Sequence, residues 1–96
     1  MAAGDAYQVA PASVADTAFM TLQPSAGVEV VIHNVYAPDG TIFSIHVYDG
    51  TDDILVGTFI SSVFNLQLHA TNSSYVRVRN DSGAAAIMAA DGMTTK

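Results

Sequence analysis

The chain has 96 residues, enough for one domain with one hydrophobic core, and it contains no cysteine, which excludes disulfides and thiolate metal sites. Only 12% of the residues are charged, and nine acidic side chains against three basic ones give a net charge of -6. Nucleic acids and anionic membranes are bound by clustered lysine and arginine, so this composition argues against both as partners.

Neither a membrane span nor a targeting segment is expected. No stretch approaches the roughly 20 apolar residues that a spanning helix needs. Residues 1–17 contain neither a basic stretch nor a continuous apolar run, so we expect no signal peptide. Two explanations of the low charge stay open: other protein covers much of the surface, or the surface is a polar β surface rich in serine, threonine and asparagine.

In chain order, apolar residues recur with a period of two, which predicts strands rather than helices. The predicted strands are 7–11, 15–22, 28–36, 41–48, 53–60, 63–70, 75–80 and 84–90. Glycine, proline, asparagine and aspartate separate them, as in tight turns. This spacing predicts an all-β fold, an antiparallel β-sandwich or jelly-roll-like domain of about eight short strands.

The two ends of the chain are the least regular parts of this pattern. Pro11 cannot donate to a strand ladder, so we expect residues 1–12 to form an extended N-terminal arm or an edge strand. Residues 13–96 are expected to form a single β-sandwich domain. The alanine-rich segment 84–90 could be a helix on propensity, but its short length between two turns favours a strand.

The segments 28–36 and 41–48 are predicted to pair as one hairpin, with Tyr36 opposite Thr41. One face of this hairpin is a plain core face: Val28, Val30, Ile32, Phe43, Ile45 and Val47. The other face is half apolar: Glu29, Val31, His33, Val35, Ile42, Ser44, His46 and Tyr48. A monomer would normally carry charges there. Either both faces are buried within the domain, or the second face meets a partner.

Arg77 and Arg79 alternate with valines, so both point out from one side of a strand. They either serve solubility or donate ion pairs to an acidic partner surface. Together with the half-apolar face they complete the predicted interface: Val31, His33, Val35, Ile42, His46, Tyr48, Arg77 and Arg79.

No catalytic motif is present in the sequence. It lacks both the G-x-S-x-G turn of serine hydrolases and a glycine-rich phosphate loop, so we expect no enzyme activity, no catalytic residue and no cofactor. His33, His46 and His69 could hold zinc only if a third strand brought them onto one face, and no His-x-His pair sets the spacing. We interpret them as ordinary polar strand positions.

Three carboxylates cluster in the D-G-T-D-D loop at 49–53. Clustered carboxylates can bind calcium, which takes six to eight oxygens, but the spacing does not match the EF-hand pattern. A solvated turn is the preferred interpretation, and we expect no metal.

Two stretches of the chain resemble small virion proteins of tailed bacteriophages: V-E-V-V-I-H-N-V at 28–35 followed by T-I-F-S-I-H-V-Y-D-G at 41–50, and Y-V-R-V-R-N-D-S-G-A at 75–84. The resemblance spans about residues 24–92 as a pattern of strands and turns. Those proteins are sandwich or jelly-roll domains that decorate or cement capsids, or sit on tails and fibres.

The resemblance implies a non-enzymatic structural protein made in the host cytoplasm and carried on the outer surface of a virion. The implied partners are the major capsid protein or another virion protein, and further copies of the chain, with a trimer favoured. The alternative is a sugar- or receptor-binding β-sandwich module of a phage tail or fibre, which would use loops such as 49–53. A chain without tryptophan offers such a site few aromatic platforms.

Overall fold

Short alternating segments separated by turns fold into strands throughout the computed structural model, which describes residues 2–96 and contains no helix within them. The strands are β1 (Ala6–Val14), β2 (Phe19–Leu22), β3 (Val30–Tyr36), β4 (Ile42–Tyr48), β5 (Asp53–Ile60), β6 (Leu68–Ala70), β7 (Tyr75–Asn80) and β8 (Ala86–Thr94). Within this described part of the chain, no helix is long and apolar enough to cross a membrane.

The eight strands form two four-stranded sheets. The first sheet has the order β1-β8-β3-β6 and the second the order β2-β7-β4-β5. All strand pairs in both sheets are antiparallel. The predicted fold class, an all-β antiparallel sandwich of about eight short strands, is confirmed.

One hydrophobic core lies between the inner faces of the two sheets. Alternate side chains of each strand point into it, as the period of two requires. Its buried members are Val14, Met20, Leu22, Val30, Ile32, Val35, Phe43, Ile45, Ala70, Val76, Val78, Met88 and Ala90. Each large side chain that is fully buried contributes about 1.5–3 kcal/mol relative to an exposed one.

The predicted hairpin of 28–36 with 41–48 is wrong, because the two strands lie in different sheets. β3 lies between β8 and β6, whereas β4 lies between β7 and β5. The loop at 37–40 crosses from one sheet to the other, and Gly40 takes a φ of 83° there. The apolar sides of β3 and β4 therefore pack across the core instead of side by side, and the hydrophobic pattern of each strand satisfies either arrangement.

A bulge in β3 reverses the predicted direction of Val35. Gly92 of β8 is opposite Ile32 and Asp91 is opposite Asn34, so His33 is an extra residue on β3. The extra residue shifts the alternation by one position, and Val35 points into the core instead of outward. Gly92 sits at this close approach, where a side chain would collide with the Val31 carbonyl.

Several strand boundaries differ from those predicted. Only Leu68–Ala70 of the predicted 63–70 strand is regular, since Ser61 and Asn65 have positive φ angles and turn the chain. The last strand is longer than predicted and runs to Thr94. The second strand begins only at Phe19.

β1 lies at the edge of the first sheet and pairs with β8. Its register with β8 shifts between Val9 and Ala12, a bulge that contains Pro11. An edge position tolerates proline, because one side of the strand faces no neighbour. Residues 6–14 are thus placed as an edge strand of the sandwich.

Candidate interaction surfaces

The eight predicted interface residues do not form one face. Val31 and His33 are half-buried on the outer side of the first sheet, and Val35 is fully buried in the core. The other five lie on neighbouring strands β4 and β7 of the second sheet: Ile42, His46, Tyr48, Arg77 and Arg79. The half-apolar face predicted for the 28–48 hairpin is divided between the two sheets, because β3 and β4 belong to different sheets.

Arg77 is clamped within its own chain. Its guanidinium carbon lies 4.0 Å from the ring centroid of Phe19 and 3.9 Å from that of Tyr48. The same guanidinium donates from Nη2 to Asp53 Oδ1 at 3.0 Å. β7 lies between β2 and β4, so the two rings reach Arg77 from opposite sides. Its charge is engaged in cation–π contacts and an ion pair inside the domain, and not offered free to a partner.

Arg79 is likewise paired within the chain, with Nε 2.6 Å from Asp81 Oδ1. Burial alone would raise the pKa of the Asp81 carboxyl, but hydrogen bonds from Arg79 and Ser44, with the positive charge of Arg79, hold that pKa below its ordinary value. Asp81 is thus ionised at neutral pH and keeps Arg79 close to the sheet.

One chain of side-chain contacts resembles a nucleophilic triad, with a serine next to a histidine and the histidine next to an aspartate: Ser44, His46 and Asp53. Ser44 Oγ is 2.8 Å from His46 Nε2, and His46 Nδ1 is 3.0 Å from Asp53 Oδ2. However, Nδ1 makes no hydrogen bond of good geometry. The Ser44 hydroxyl interacts with the Asp81 carboxyl as well as with His46, so it links both groups on the outer side of the sheet.

This cluster also differs from a catalytic site because its side chains are covered and a substrate could not reach them. Ser44 and His46 are 1% and 5% exposed, and the Phe19 ring packs against the imidazole in a T-shaped contact with centroids 5.7 Å apart. A nucleophile must reach its substrate. In this conformation the cluster ties β4 to β5 and to the chain after β7, which is a structural role.

An apolar surface runs along β5, at the free edge of the second sheet. Ile54 and Ile60 are 63% and 62% exposed, and Leu55 and Val56 are also exposed. On β4, the exposed Ile42 is paired with Ile60. Only one charged residue, Asp53, belongs to β5, and Arg77 and His46 contact it.

A cavity of about 330 Å³ opens on the outer side of the first sheet, beside the bulge of β1. It is lined by Gln8, Val9, Ala10, Pro11, Tyr36, Ala89, Ala90 and Asp91. The Tyr36 hydroxyl donates to Asp91 Oδ2 at 2.6 Å, and Asn34 donates to Asp91 Oδ1 at 2.7 Å. The hydrogen bond to Asp91 raises the pKa of Tyr36.

The histidines are not brought together. His33 lines a second cavity on the first sheet, His46 belongs to the second sheet, and His69 is 3.1 Å from Glu29. Across residues 2–96, no group of three or more histidine, aspartate or glutamate side chains is placed to hold a metal ion. In the 49–53 loop, Asp49 Oδ1 instead accepts hydrogen bonds from the backbone N–H groups of Thr51 and Asp52.

No protein-family model and no curated protein matches the sequence. Among solved structures, the chain is similar to the Drosophila NLP-core, whose crystal structure provides insight into pentamer formation and histone binding. The TM-score is 0.58 at 15% sequence identity, and the similarity covers 95% of this chain and 98% of that chain. At this identity the likeness shows a shared sandwich fold alone.

The exposed edge of β5 was missed as an interaction surface, although the sequence carries a signal for it. Ile54, Leu55 and Val56 are consecutive apolar residues, whereas a strand with one solvated face would alternate. The signal is ambiguous, because a strand buried on both faces reads the same way. Only the order of strands in the sheet shows that this one lies at an edge.

Proposed function

We propose that the chain is a non-enzymatic structural protein of a bacteriophage virion, and that it acts as a capsid decoration (cement) protein through protein–protein adhesion. Its partners are the major capsid protein or another virion protein at the outer surface, and further copies of itself. No chemical step belongs to this function, and binding alone stabilises the head.

One observation carries the proposal: large apolar side chains are exposed on a chain that has few charges. The exposed large apolar and aromatic residues are Tyr36, Ile42, Ile54, Leu55, Val56, Ile60, Phe64, Ile87 and Met93. Five of these residues lie on the neighbouring strands β4 and β5, and clustered exposed apolar residues mark protein–protein contact sites. Each of the three basic side chains lies within ion-pair distance of a carboxylate of the same domain. Adhesion to a partner would therefore depend on shape complementarity and apolar contact.

The strand and turn pattern shared with phage virion proteins supports this location. The sandwich fold is compatible with closed assemblies, since the NLP-core structure concerns pentamer formation. A trimer is proposed from the phage resemblance, and the number of copies is measured directly by sedimentation velocity.

Co-sedimentation with phage heads tests the proposed function. Purified chain is mixed with heads that lack it, taken from the phage that encodes it, and the pellet is analysed for bound protein. We expect saturable binding at a fixed ratio to the major capsid protein, and a higher temperature of head disruption. An unrelated β-sandwich of similar size serves as the control. Failure of the chain to pellet above this control would contradict the decoration function.

A second candidate, a sugar- or receptor-binding module of a tail or fibre, is supported by the cavity beside β1. The ring of Tyr36 offers an apolar platform, and Gln8 and Asp91 offer polar groups at its rim. A glycan array probed with the wild-type chain and with Tyr36→Ala tests it. Binding that is lost in the variant would favour this function over decoration.

A further inference from the structure

Two sheets have four free edges, and three of them are short or interrupted. β1 carries Pro11 within a bulge, β2 has 4 residues, and β6 has 3 residues. Short edge strands, prolines and bulges are the usual devices that prevent edges from pairing with other chains. These three edges are therefore protected against strand addition.

β5 is the exception. It has 8 residues without proline or lysine, and no residue from Ile54 to Ile60 is charged. Its one irregularity is a bulge, since Leu55 and Gly57 are opposite consecutive residues of β4 and Val56 is the extra residue. After the bulge, Gly57–Ile60 continue in regular register with β4. β5 therefore shares one protective device, the bulge, with β1, but it has no proline and is longer than β2 and β6, so it is the edge least protected against another strand.

We propose that β5 pairs antiparallel with β5 of a second copy of this chain across a two-fold axis, joining the two second sheets into one. The inference rests on the self-association in the proposed function and names the surface for it, but it puts a two-fold dimer in place of the trimer that the phage resemblance implies. Within residues 2–96, no other free edge combines the length of β5 with an absence of proline, so the strand that matches β5 in this molecule is another β5.

Charge favours this antiparallel arrangement. Each copy carries a net charge of -6, so copies repel unless the contact keeps their acidic groups apart. Asp53 begins β5, and antiparallel pairing centred on Gly57–Ile60 separates the two Asp53 side chains by about 20 Å or more, beyond the Debye length of about 8 Å. Parallel pairing would place them side by side.

The backbone of β5 has the donors that such pairing requires. The N–H of Ser61 is bonded to the Thr41 carbonyl, toward β4. Antiparallel strands alternate in the direction of these groups, so the N–H groups of Thr58 and Ile60 point outward from the sheet. They are available to a strand that lies alongside.

Exposed apolar side chains on and beside this edge add to such a contact. The exposed apolar side chains on and beside this edge are Ile42, Ile54, Leu55, Val56 and Ile60. A strand that lies along β5 covers part of this apolar area in each copy, which adds hydrophobic stabilisation to the backbone hydrogen bonds.

Sedimentation velocity of the free protein at high micromolar concentration tests the inference with three variants. Ile54→Lys with Ile60→Lys places charges on the edge, and Thr58→Pro removes one outward N–H while leaving every apolar side chain in place. Ile87→Lys is the matched control, because Ile87 is 54% exposed but lies on β8 of the first sheet. Circular dichroism confirms that each variant keeps its strands.

We expect the wild type and Ile87→Lys to sediment as dimers, and both edge variants as monomers with dimer affinity reduced at least tenfold. A wild-type monomer would overturn the inference, and so would a trimer or pentamer, since a two-fold contact alone cannot build an odd number. Assembly that survives Thr58→Pro would show that side chains, and not strand pairing, hold the copies. Binding to phage heads is measured separately, so dimers that fail to bind heads would contradict the proposed function and leave the edge pairing intact.

Discussion

At the scale of single residues, Asn80 is the polar centre of one end of the sandwich. It is fully buried, and its Nδ2 donates to the carbonyls of Val14 and Ala84 at 2.8 Å each. Its Oδ1 accepts hydrogen bonds from the backbone and the hydroxyl of Ser82. One side chain thus joins the end of β1 to the turn between β7 and β8.

Replacing Asn80 by alanine should lower the free energy of unfolding by about 2–3 kcal/mol, because the Val14 carbonyl would lose this buried donor and the Ser82 N–H and hydroxyl would lose their acceptor. Asn72→Ala is the control. That exposed side chain donates to the Pro24 carbonyl only, so its loss should cost less than about 1 kcal/mol. Urea unfolding followed by circular dichroism measures both, and equal losses would show that Asn80 is not a structural centre.

Two aspartates make the stability sensitive to acid. The backbone N–H groups of Asp52 and Thr51 lower the pKa of Asp49, and the pKa of Asp81 is also below its ordinary value. A carboxyl whose pKa is lower in the folded than in the unfolded state stabilises the fold above the unfolded value, and that stabilisation is lost as the pH falls through the folded value.

The free energy of unfolding should therefore decrease as the pH falls below about 4, the ordinary range of aspartate. Asp49→Asn keeps an oxygen that can accept the turn N–H groups but cannot titrate, so its stability should vary less with pH than that of the wild type. Thermal unfolding at a series of pH values from neutral to strongly acidic measures the difference. Parallel curves for the two proteins would mean that Asp49 does not contribute to the acid response.

At the scale of elements, β1 is tied to the domain more firmly than a loose arm. It pairs along β8, and the flanking Gly4 N–H donates to the Thr94 carbonyl at 2.7 Å. Val14 at its end belongs to the core, while Tyr7 and Val9 pack against it. Its removal would leave the backbone of β8 unpaired along one side.

Deleting residues 2–12 should consequently lower the free energy of unfolding by several kcal/mol, a large share of the roughly 5–15 kcal/mol typical of a domain. Deleting residues 2–3 alone leaves β1 intact and should change stability by less than about 1 kcal/mol. Urea unfolding of both truncations provides the comparison. A domain that keeps full stability without residues 2–12 would show that β1 is dispensable.

At the scale of the whole molecule, the carboxylates are directed to partners within the domain. Glu29 lies close to both His69 and Lys96, and Asp91 accepts from Tyr36 and Asn34. Calcium requires several oxygens that are free to converge on one point. Glu29 and Asp91, which are already paired within the domain, do not meet that condition.

Addition of calcium, or of a chelator, should leave the melting temperature unchanged within error, because an ion stabilises a protein only if it binds the folded state preferentially. Differential scanning calorimetry at millimolar calcium measures this, with magnesium as the control ion. A rise of several degrees with calcium alone would reveal a site and contradict the expectation.

Much of the architecture follows from local sequence, whereas the surfaces do not. The period of two, the turn residues and Pro11 were enough to predict eight short strands, a sandwich and an irregular N-terminal strand. The pairing of 28–36 with 41–48 failed, because both strands present an apolar side to the core whether they share a sheet or face each other across it. The direction of Val35 failed because a bulge at His33 depends on the partner strand.

The sequence by itself determined the class of the fold, since strand periodicity and turn chemistry are properties of neighbouring residues. Only the tertiary structure decided that Arg77 is held between Phe19 and Tyr48, that Ser44 and His46 are covered, and that β5 is a free edge. These features depend on which strands become neighbours in space. That choice rests on the fit of both sheets around one core, and no short segment of the chain encodes it.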